Sequence, residues 1–313
     1  MLKQVIDLFE LLDRPDANAG AIKDYLLANG SCDIQTNVLK GDTGSTEHIM
    51  ITIPGRDGRS KGGSTPTLGI VGRLGGLGAR PEITGFVSDG DGALAALAAA
   101  AKLSRMHALG DQLQGDIIIS THICPDAPTR PHDPVPLMGS PVSHDQINDI
   151  EITPAMEAIL SIDTTKGNRV INTRGFAISP TVKEGYILKV SNHMLDIMSR
   201  VTGKLPQVFA LSQQDITPYG NGLGHINSIL QPSIMTTAPV VGVAITAEVP
   251  VAGCATGATQ LTDVEVAARF AVEVAKDFTS GSCNFHDAEE FARMKEMYGD
   301  MSRFQNEQGP SET

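Results

Sequence analysis

Four short segments of this chain carry apolar runs without strict alternation: "TLGIVG" (67–72), "DIIIST" (116–121), "AILSI" (158–162) and "VVGVAIT" (240–246). A strand with one solvated face alternates apolar and polar residues, whereas a strand covered on both faces does not. Between these segments lie stretches with helical period. In "MLKQVIDLFELL", Val5, Leu8, Phe9 and Leu12 fall at i, i+3, i+4 and i+7, one face of an amphipathic helix. "AIKDYLLANG" makes a second helix stopped by Gly30, and an alanine- and leucine-rich helix runs from about residue 92 to 109. "NHMLDIMSRVTG" stops at Gly203, and "LTDVEVAARFAVEVAKDF" starts with Thr262 as cap and Glu265 three residues later, the order of a capping box. "EHIMITIPG" alternates as a half-exposed strand, and "LPQVFALS" reads as another strand. Strand and helix signals thus alternate along the chain, which predicts an α/β fold: a three-layer, mostly parallel mixed sheet with helices on both faces. No composition break divides it, so residues 1–295 are expected to form a single domain. Periodicity is lost after about residue 295, which predicts a poorly ordered tail over 296–313.

The formal net charge is −12, and no basic patch interleaved with aromatics occurs. That argues against a nucleic-acid backbone or an anionic membrane as partner. Tryptophan is absent and aromatics are 4%, which removes carbohydrate stacking platforms. No apolar run approaches the ~20 residues that span a bilayer. The first residues carry acids rather than a basic-then-apolar leader, so a cytoplasmic location is expected. Cys32, Cys124, Cys254 and Cys283 are scattered without close pairing, which predicts thiols rather than a disulfide framework. The expected partner is a small molecule, with association between copies of the chain left open.

In sheets of this kind ligands bind beyond the carboxyl ends of the strands. Three places there carry ionisable groups: Asp89, which opens "SDGDGALAALAAAAKL"; His122 and Asp126, after "DIIIST"; and Asp163, at the end of "AILSI". Each has an ordinary explanation. Asp89 can cap a helix, gaining ~0.3–1 kcal/mol from its dipole; Asp163 can start an Asx turn with Thr164; His122 can be a buried ring bonded to backbone. Together they make a different case. If the strands are adjacent, three carboxylates and an imidazole meet on one rim, where they would raise each other's pKa values unless a cation balances them. Oxygen-plus-imidazole ligation suits Zn²⁺, Mn²⁺ or Mg²⁺. Asp91 is expected to turn to solvent as the true cap.

The order of four segments resembles the zinc-dependent exopeptidases, the superfamily of co-catalytic aminopeptidases, carboxypeptidases and deacylases. These are "VIDLFELLDRPDANAGAIKDYLLANG", "SDGDGALAALAAAAKL", "GDIIISTHICPDA" and "AILSIDTTKG", closed by "PVVGVAITAEVPVAGCATGATQLTDVEVAARF". The resemblance spans roughly residues 1 to 278 and implies an exopeptidase-like fold. It carries Asp89, Asp126 and Asp163 into metal-ligand places. The family's first strand delivers His-x-Asp, where this chain has "VGRLGGLG" with Arg73 and Gly75; the paired glutamates are Pro125 and Asp126; the closing histidine is absent near Cys254. No segment matches the family's lid domain. The chain also resembles an uncharacterised bacterial family known only as a domain of unknown function, DUF1177-like in sequence.

Several residues could replace the missing parts. His122 could be a metal ligand or the proton carrier lost at Pro125, and Cys254 a ligand or nucleophile, or merely a small residue in a tight loop. Arg73 could neutralise the acids or grip a substrate carboxylate with its planar fork. Asn221 and His225, in "ITPYGNGLGHINSIL", lie in a flexible polar turn that could approach a ligand. His132 and Asp133 belong to a proline-rich loop, lid-like or plain surface. His48, His107, His144, His193 and His286 read as ordinary. Two functions follow. One is a hydrolase of a small amino-acid-derived amide, peptide or lactam using one or two divalent cations, Zn²⁺ or Mn²⁺ foremost, in which the ion activates water. The other is a catalytically inactive relative that binds a small metabolite as sensor or accessory subunit.

Overall fold

The computed structural model describes residues 1–73, 75–131, 137–250 and 259–306. The chain opens with α1 (Leu2–Leu12) and α2 (Ala19–Asn29). Val5, Leu8 and Leu12 form the buried stripe of α1, and the Asn18 side chain caps α2 by accepting the Ala21 N–H at 2.9 Å. A hairpin of β1 (Asp33–Gly41) and β2 (Gly44–Ile53) leads to β3 (Leu68–Gly72) and α3 (Asp91–Ala108). Next come β4 (Ile117–Ile123), the short strands β5 (Thr129–Arg130) and β6 (Leu137–Met138), α4 (His144–Glu151) and β7 (Ala158–Thr164). β8 (Gly175–Ile178), β9 (Val182–Lys183) and β10 (Tyr186–Ile187) precede α5 (Asn192–Thr202), which ends on Gly203 at φ +66. β11 (Val240–Thr246), α6 (Leu261–Thr279) and α7 (Ala288–Tyr298) complete the order.

The main sheet runs β1-β2-β4-β3-β7-β11-β9-β10, with β8 also paired to β11. Its centre, β4-β3-β7-β11, is parallel, and the flanking pairs are antiparallel. This is a mixed α/β fold. The four apolar segments are these central strands, and their side chains divide between two cores. Leu68, Ile70, Ile119, Leu160 and Val243 pack with α1, α3 and α6. Val71, Ile118, Ile159 and Val240 face the opposite way, toward Ile152, Ile216 and Leu230. That second face lies under α4 and the short turns of residues 205–235.

α3 is buried from Asp91 through Ala101, and its small residues let it approach the sheet closely. At Gly92 an added Cβ would sit 2.4 Å from the Ile162 carbonyl oxygen and 2.7 Å from that of Arg73. The helix mouth is thereby pressed onto the ends of β3 and β7.

Some boundaries differ from the sequence expectation. "LPQVFALS" forms only an isolated bridge, Ile178 to Val208, because Pro206 offers no N–H to a ladder. α6 begins at Leu261 with Gln260 in the cap place and no side-chain cap bond, so Thr262 lies within the first turn. Residue 295 falls inside α7, and beyond it the Gln305 amide donates to the carbonyls of Ser233 and Thr236; residues 307–313 lie outside the described residues. α4 had no counterpart in the expectation. It is held by a capping box in which Ser143 and Gln146 exchange side-chain-to-backbone hydrogen bonds. No helix among the described residues is long and apolar enough to cross a membrane. Cys32, Cys124 and Cys283 are free thiols.

Candidate functional site

β3 connects through α3 to β4 on one side, and the chain then crosses through α4 to β7 on the other side of β3. This change of direction is the topological switch point where open α/β sheets bind ligands. Arg73 leaves β3 there, its N–H donating to the Ile162 carbonyl at 2.7 Å. Asp163 stands beside it near the end of β7, and Asp89 lies in the 3-10 turn Ser88–Gly90 that leads into α3.

Arg73 is the largest fully buried side chain of the fold, 1% exposed. Its Nη1 donates to Asn148 Oδ1 at 2.9 Å and to Glu151 Oε2 at 2.8 Å. Both partners come from α4, so the unforeseen helix supplies the counter-charge. Burial pushes the Glu151 carboxyl up to about 7, against the opposing pull of Arg73. Nε and Nη2 of Arg73 have no hydrogen-bond partner among the described residues, and neither do Glu151 Oε1, Asn148 Nδ2 and His144 Nδ1. In a buried place such atoms each cost ~1–3 kcal/mol if left unmet.

Asp163 is 3% exposed; its Oδ1 accepts the Thr164 N–H at 2.7 Å and its Oδ2 the Ser228 hydroxyl at 3.0 Å. Burial, and then the charge of nearby Asp89, raises its pKa to about 7. Asp91, expected at the surface, is fully buried and paired with Lys166 Nζ at 2.8 Å. Only a buried ammonium makes that position tolerable. Arg73 and Lys166 therefore bring two cations to the same helix mouth and strand ends as the acids.

His122 is not presented to this rim. Its Nε2 accepts the Gly75 N–H at 3.0 Å and its Nδ1 meets the Thr46 hydroxyl at 2.9 Å. Thr46 in turn donates to the Ile123 carbonyl. Both ring nitrogens are thus spent, and burial drives the pKa to about 3. The close fit behind this is visible at Gly75, where a Cβ would fall 1.5 Å from the His122 carbonyl oxygen. Asp126 also leaves the group. After β4 the chain bridges Gly76 and then Ala79, which carries Asp126 to the exposed surface, where its Oδ1 faces the Cys124 thiol at 4.0 Å.

Asn221 and His225 bond within their own turn. Asn221 Nδ2 donates to Thr217 Oγ1 at 2.8 Å, and the His225 ring nitrogens face the carbonyls of Leu223 and Thr217. His225 also lies against Tyr219, ring centroids 4.6 Å apart. The turn is clamped by buried Asp215, which accepts the N–H groups of Ser212, Ile226 and Asn227. Its product is the placement of Ser228 on Asp163. Cys254, His132 and Asp133 lie outside the described residues.

This set fits a divalent cation poorly. Of the four expected ligands only Asp89 and Asp163 are neighbours, and a guanidinium stands beside them. Among the described residues no group of three or more His, Cys, Asp or Glu side chains is placed to hold a metal ion. The site that sequence reading missed is polar rather than metal-like: Asn148, Glu151, His144, Tyr219 and Ser228 around Arg73. "SHDQ" at 143–146 carried a readable capping box for α4. Nothing linked Glu151 to an arginine so far away in the chain.

The fold is shared with solved enzyme structures, an aminopeptidase among them. The Bottromycin maturation enzyme BotP matches with a TM-score of 0.52 at 16% identity, over 89% of this chain and 70% of that one. The same enzyme in complex with Mn gives 0.52 at 16%, over 88% and 70%. Caenorhabditis elegans leucine aminopeptidase (LAP1) gives 0.50 at 13%, over 88% of this chain and 66% of its own. At these identities the likeness establishes the expected exopeptidase-like architecture. No curated protein matches the sequence. A family described as a protein of unknown function, DUF1177, matches residues 37–308, and the chain belongs to that family.

Proposed function

We propose that the strand-end site binds a small, carboxylate-bearing molecule through Arg73, without a metal ion. One observation carries this reading: a buried guanidinium whose Nε and Nη2 find no acceptor among the described residues. Those two donors form the side-on fork of arginine. Elsewhere in this molecule the same pair holds a carboxylate, at Arg14–Asp16 with 2.8 Å on each arm and at Arg59–Glu157 with 2.8 Å on each arm. The acidic net charge of −12 supports a small metabolite rather than nucleic acid as partner, and a cytoplasmic sensor or accessory role suits such a site. Calorimetric titration with a panel of small carboxylates, and with inorganic phosphate as control, tests it. Carboxylate binding is expected to weaken at least ~10-fold in Arg73→Lys, which keeps the charge and loses the fork. Affinity unchanged by that substitution, or phosphate preferred to every carboxylate, would overturn the reading.

A second reading is hydrolysis of a small amino-acid-derived amide, peptide or lactam. It is favoured by Asp163, a buried carboxyl beside Asp89 whose pKa burial and that neighbouring charge raise to about 7, within the range where a carboxyl group serves as general acid or base. In its metal-dependent form, purified protein should contain near-stoichiometric Zn or Mn that disappears in Asp89→Ala. Metal-free protein would eliminate that form.

A further inference from the structure

The unmet buried atoms around α4 include both signs of hydrogen-bonding group. Arg73 Nε and Nη2 and Asn148 Nδ2 are donors, while Glu151 Oε1 is a carboxylate acceptor. All three residues are within 1% of full burial. They also form one connected unit, because Arg73 Nη1 binds both Asn148 and Glu151. A simple carboxylate would satisfy the arginine fork and leave Glu151 Oε1 without a donor. It would also add a negative charge to a rim that already holds Glu151, Asp163 and Asp89. With Glu151 ionised, as above neutral pH, the Arg73–Glu151 pair carries no net charge, so the ligand that complements it carries one charge of each sign, an anion and a cation separated by a short covalent link.

We infer that the ligand is a free α-amino acid or a close analogue, bound as a zwitterion with its carboxylate on Arg73 and its ammonium on Glu151. The inference rests on the Arg73 reading above and narrows its substrate class. In an α-amino acid a single carbon separates carboxylate from ammonium, and the two protein groups that would hold them are themselves neighbours, paired through Arg73 Nη1 and Glu151 Oε2 at 2.8 Å. Asn148, which accepts from Arg73 Nη1 through Oδ1, has Nδ2 without a partner among the described residues and would offer it to the second carboxylate oxygen.

The test uses the full-length protein at pH 8. The common L-amino acids are screened by thermal shift, and the best binders are titrated calorimetrically against their deamino counterparts: L-leucine against 4-methylpentanoate, L-alanine against propanoate, glycine against acetate. Wild-type protein should bind the amino acid at least ~10-fold more tightly than its partner acid, the worth of one buried charge-assisted hydrogen bond. Glu151→Gln keeps shape and an oxygen for Arg73. It should bring that ratio close to one while carboxylate binding persists. Equal wild-type affinity for both members of every pair would overturn the zwitterion and leave the carboxylate reading standing. A wild-type preference that Glu151→Gln leaves intact would move the ammonium off Glu151 and overturn it too. Binding of neither member by wild-type protein would end both readings. If the variant does not fold, equal wild-type affinity for both members of every pair still overturns the zwitterion.

Discussion

Two arginine–glutamate pairs sit at opposite ends of β3, and they are built on opposite terms. Arg59 and Glu157 meet at the surface, with 53% and 34% of their side chains exposed. Both arms of the fork are filled, and Glu157 takes the Thr67 N–H as well. Arg59 accordingly holds the Glu157 carboxyl below its usual range. Arg73 and Glu151 are 1% and 0% exposed, touch through Nη1 alone, and leave the fork unfilled. Here burial outweighs the partner, and the Glu151 carboxyl rises to about 7. The exposed pair is complete and contributes little; the buried pair is incomplete, and removing one partner of it costs much. Incompleteness in a buried ion pair is expensive, and a third participant that filled the fork would relieve it.

The largest consequence concerns stability. Arg73→Met should cost about 3–5 kcal/mol in urea denaturation, because it strands Glu151 in the interior. The double substitution of Arg73 and Glu151 by methionine should recover much of that loss, since it removes both desolvated charges. If Arg73→Met is as mild as a surface change, the pair is solvated and the contrast between the two ends of β3 breaks.

The next effect is a difference in sign with pH. Glu151 binds its proton more tightly in the folded state than at its ordinary 4.5. Its contribution is therefore fullest below about pH 4.5 and is lost as pH rises toward 7. The shift corresponds to roughly 3 kcal/mol. Buried His48 and His122 and half-buried His144, lowered to about 4, 3 and 4, act oppositely and lose stability as pH falls below their ordinary 6.5. The observable is thus the difference between wild type and Glu151→Gln, in which the histidines cancel. Wild type should lose ground to the variant between pH 4.5 and 7. For Glu157 the sign reverses, because its lowered pKa gives stability that is lost as pH falls. A flat Glu151 difference curve would mean that water reaches the carboxylate.

The same contrast explains what could be read from sequence. The central strands were legible because burial on both faces leaves apolar runs without polar alternation, as in "III" of "DIIIST" and "AIL" of "AILSI". Asp89 and Asp163 were legible because strand ends and helix mouths are marked locally. His122 and Asp126 looked equivalent to them in sequence. What separates them is the backbone after β4, where a pairing with Gly75–Ala79 uses one ring and turns one carboxylate outward. The partnership of Arg73 with Glu151 spans 78 residues. It follows from the packing of α4 beneath the sheet, which no spacing rule encodes.

A smaller effect probes that packing. The Ser143 hydroxyl accepts the Gln146 N–H at 3.2 Å and fixes the start of α4. Ser143→Ala should cost ~1 kcal/mol. Because α4 carries Asn148 and Glu151, the substitution should also weaken carboxylate binding at Arg73, although Ser143 is itself exposed. Lost stability with unchanged binding would show that β-sheet contacts, not the cap, hold α4 in register.

The smallest effect belongs to the surface pair. Arg59→Met should cost at most ~1 kcal/mol, and less at high salt, since exposed ion pairs are screened and pay side-chain entropy to form. Ligand affinity at Arg73 should not change, because Arg59 lies at the amino end of β3 while the site lies beyond its carboxyl end. Urea denaturation at low and high salt, paired with the carboxylate titration, checks both halves. A loss well above that range would mean that Glu157, once unpaired, disturbs the Thr67 N–H it accepts at 2.9 Å and with it the entry to β3. The two arginines would then act on the same strand from its two ends, and the site's geometry would depend on a surface pair that never touches it.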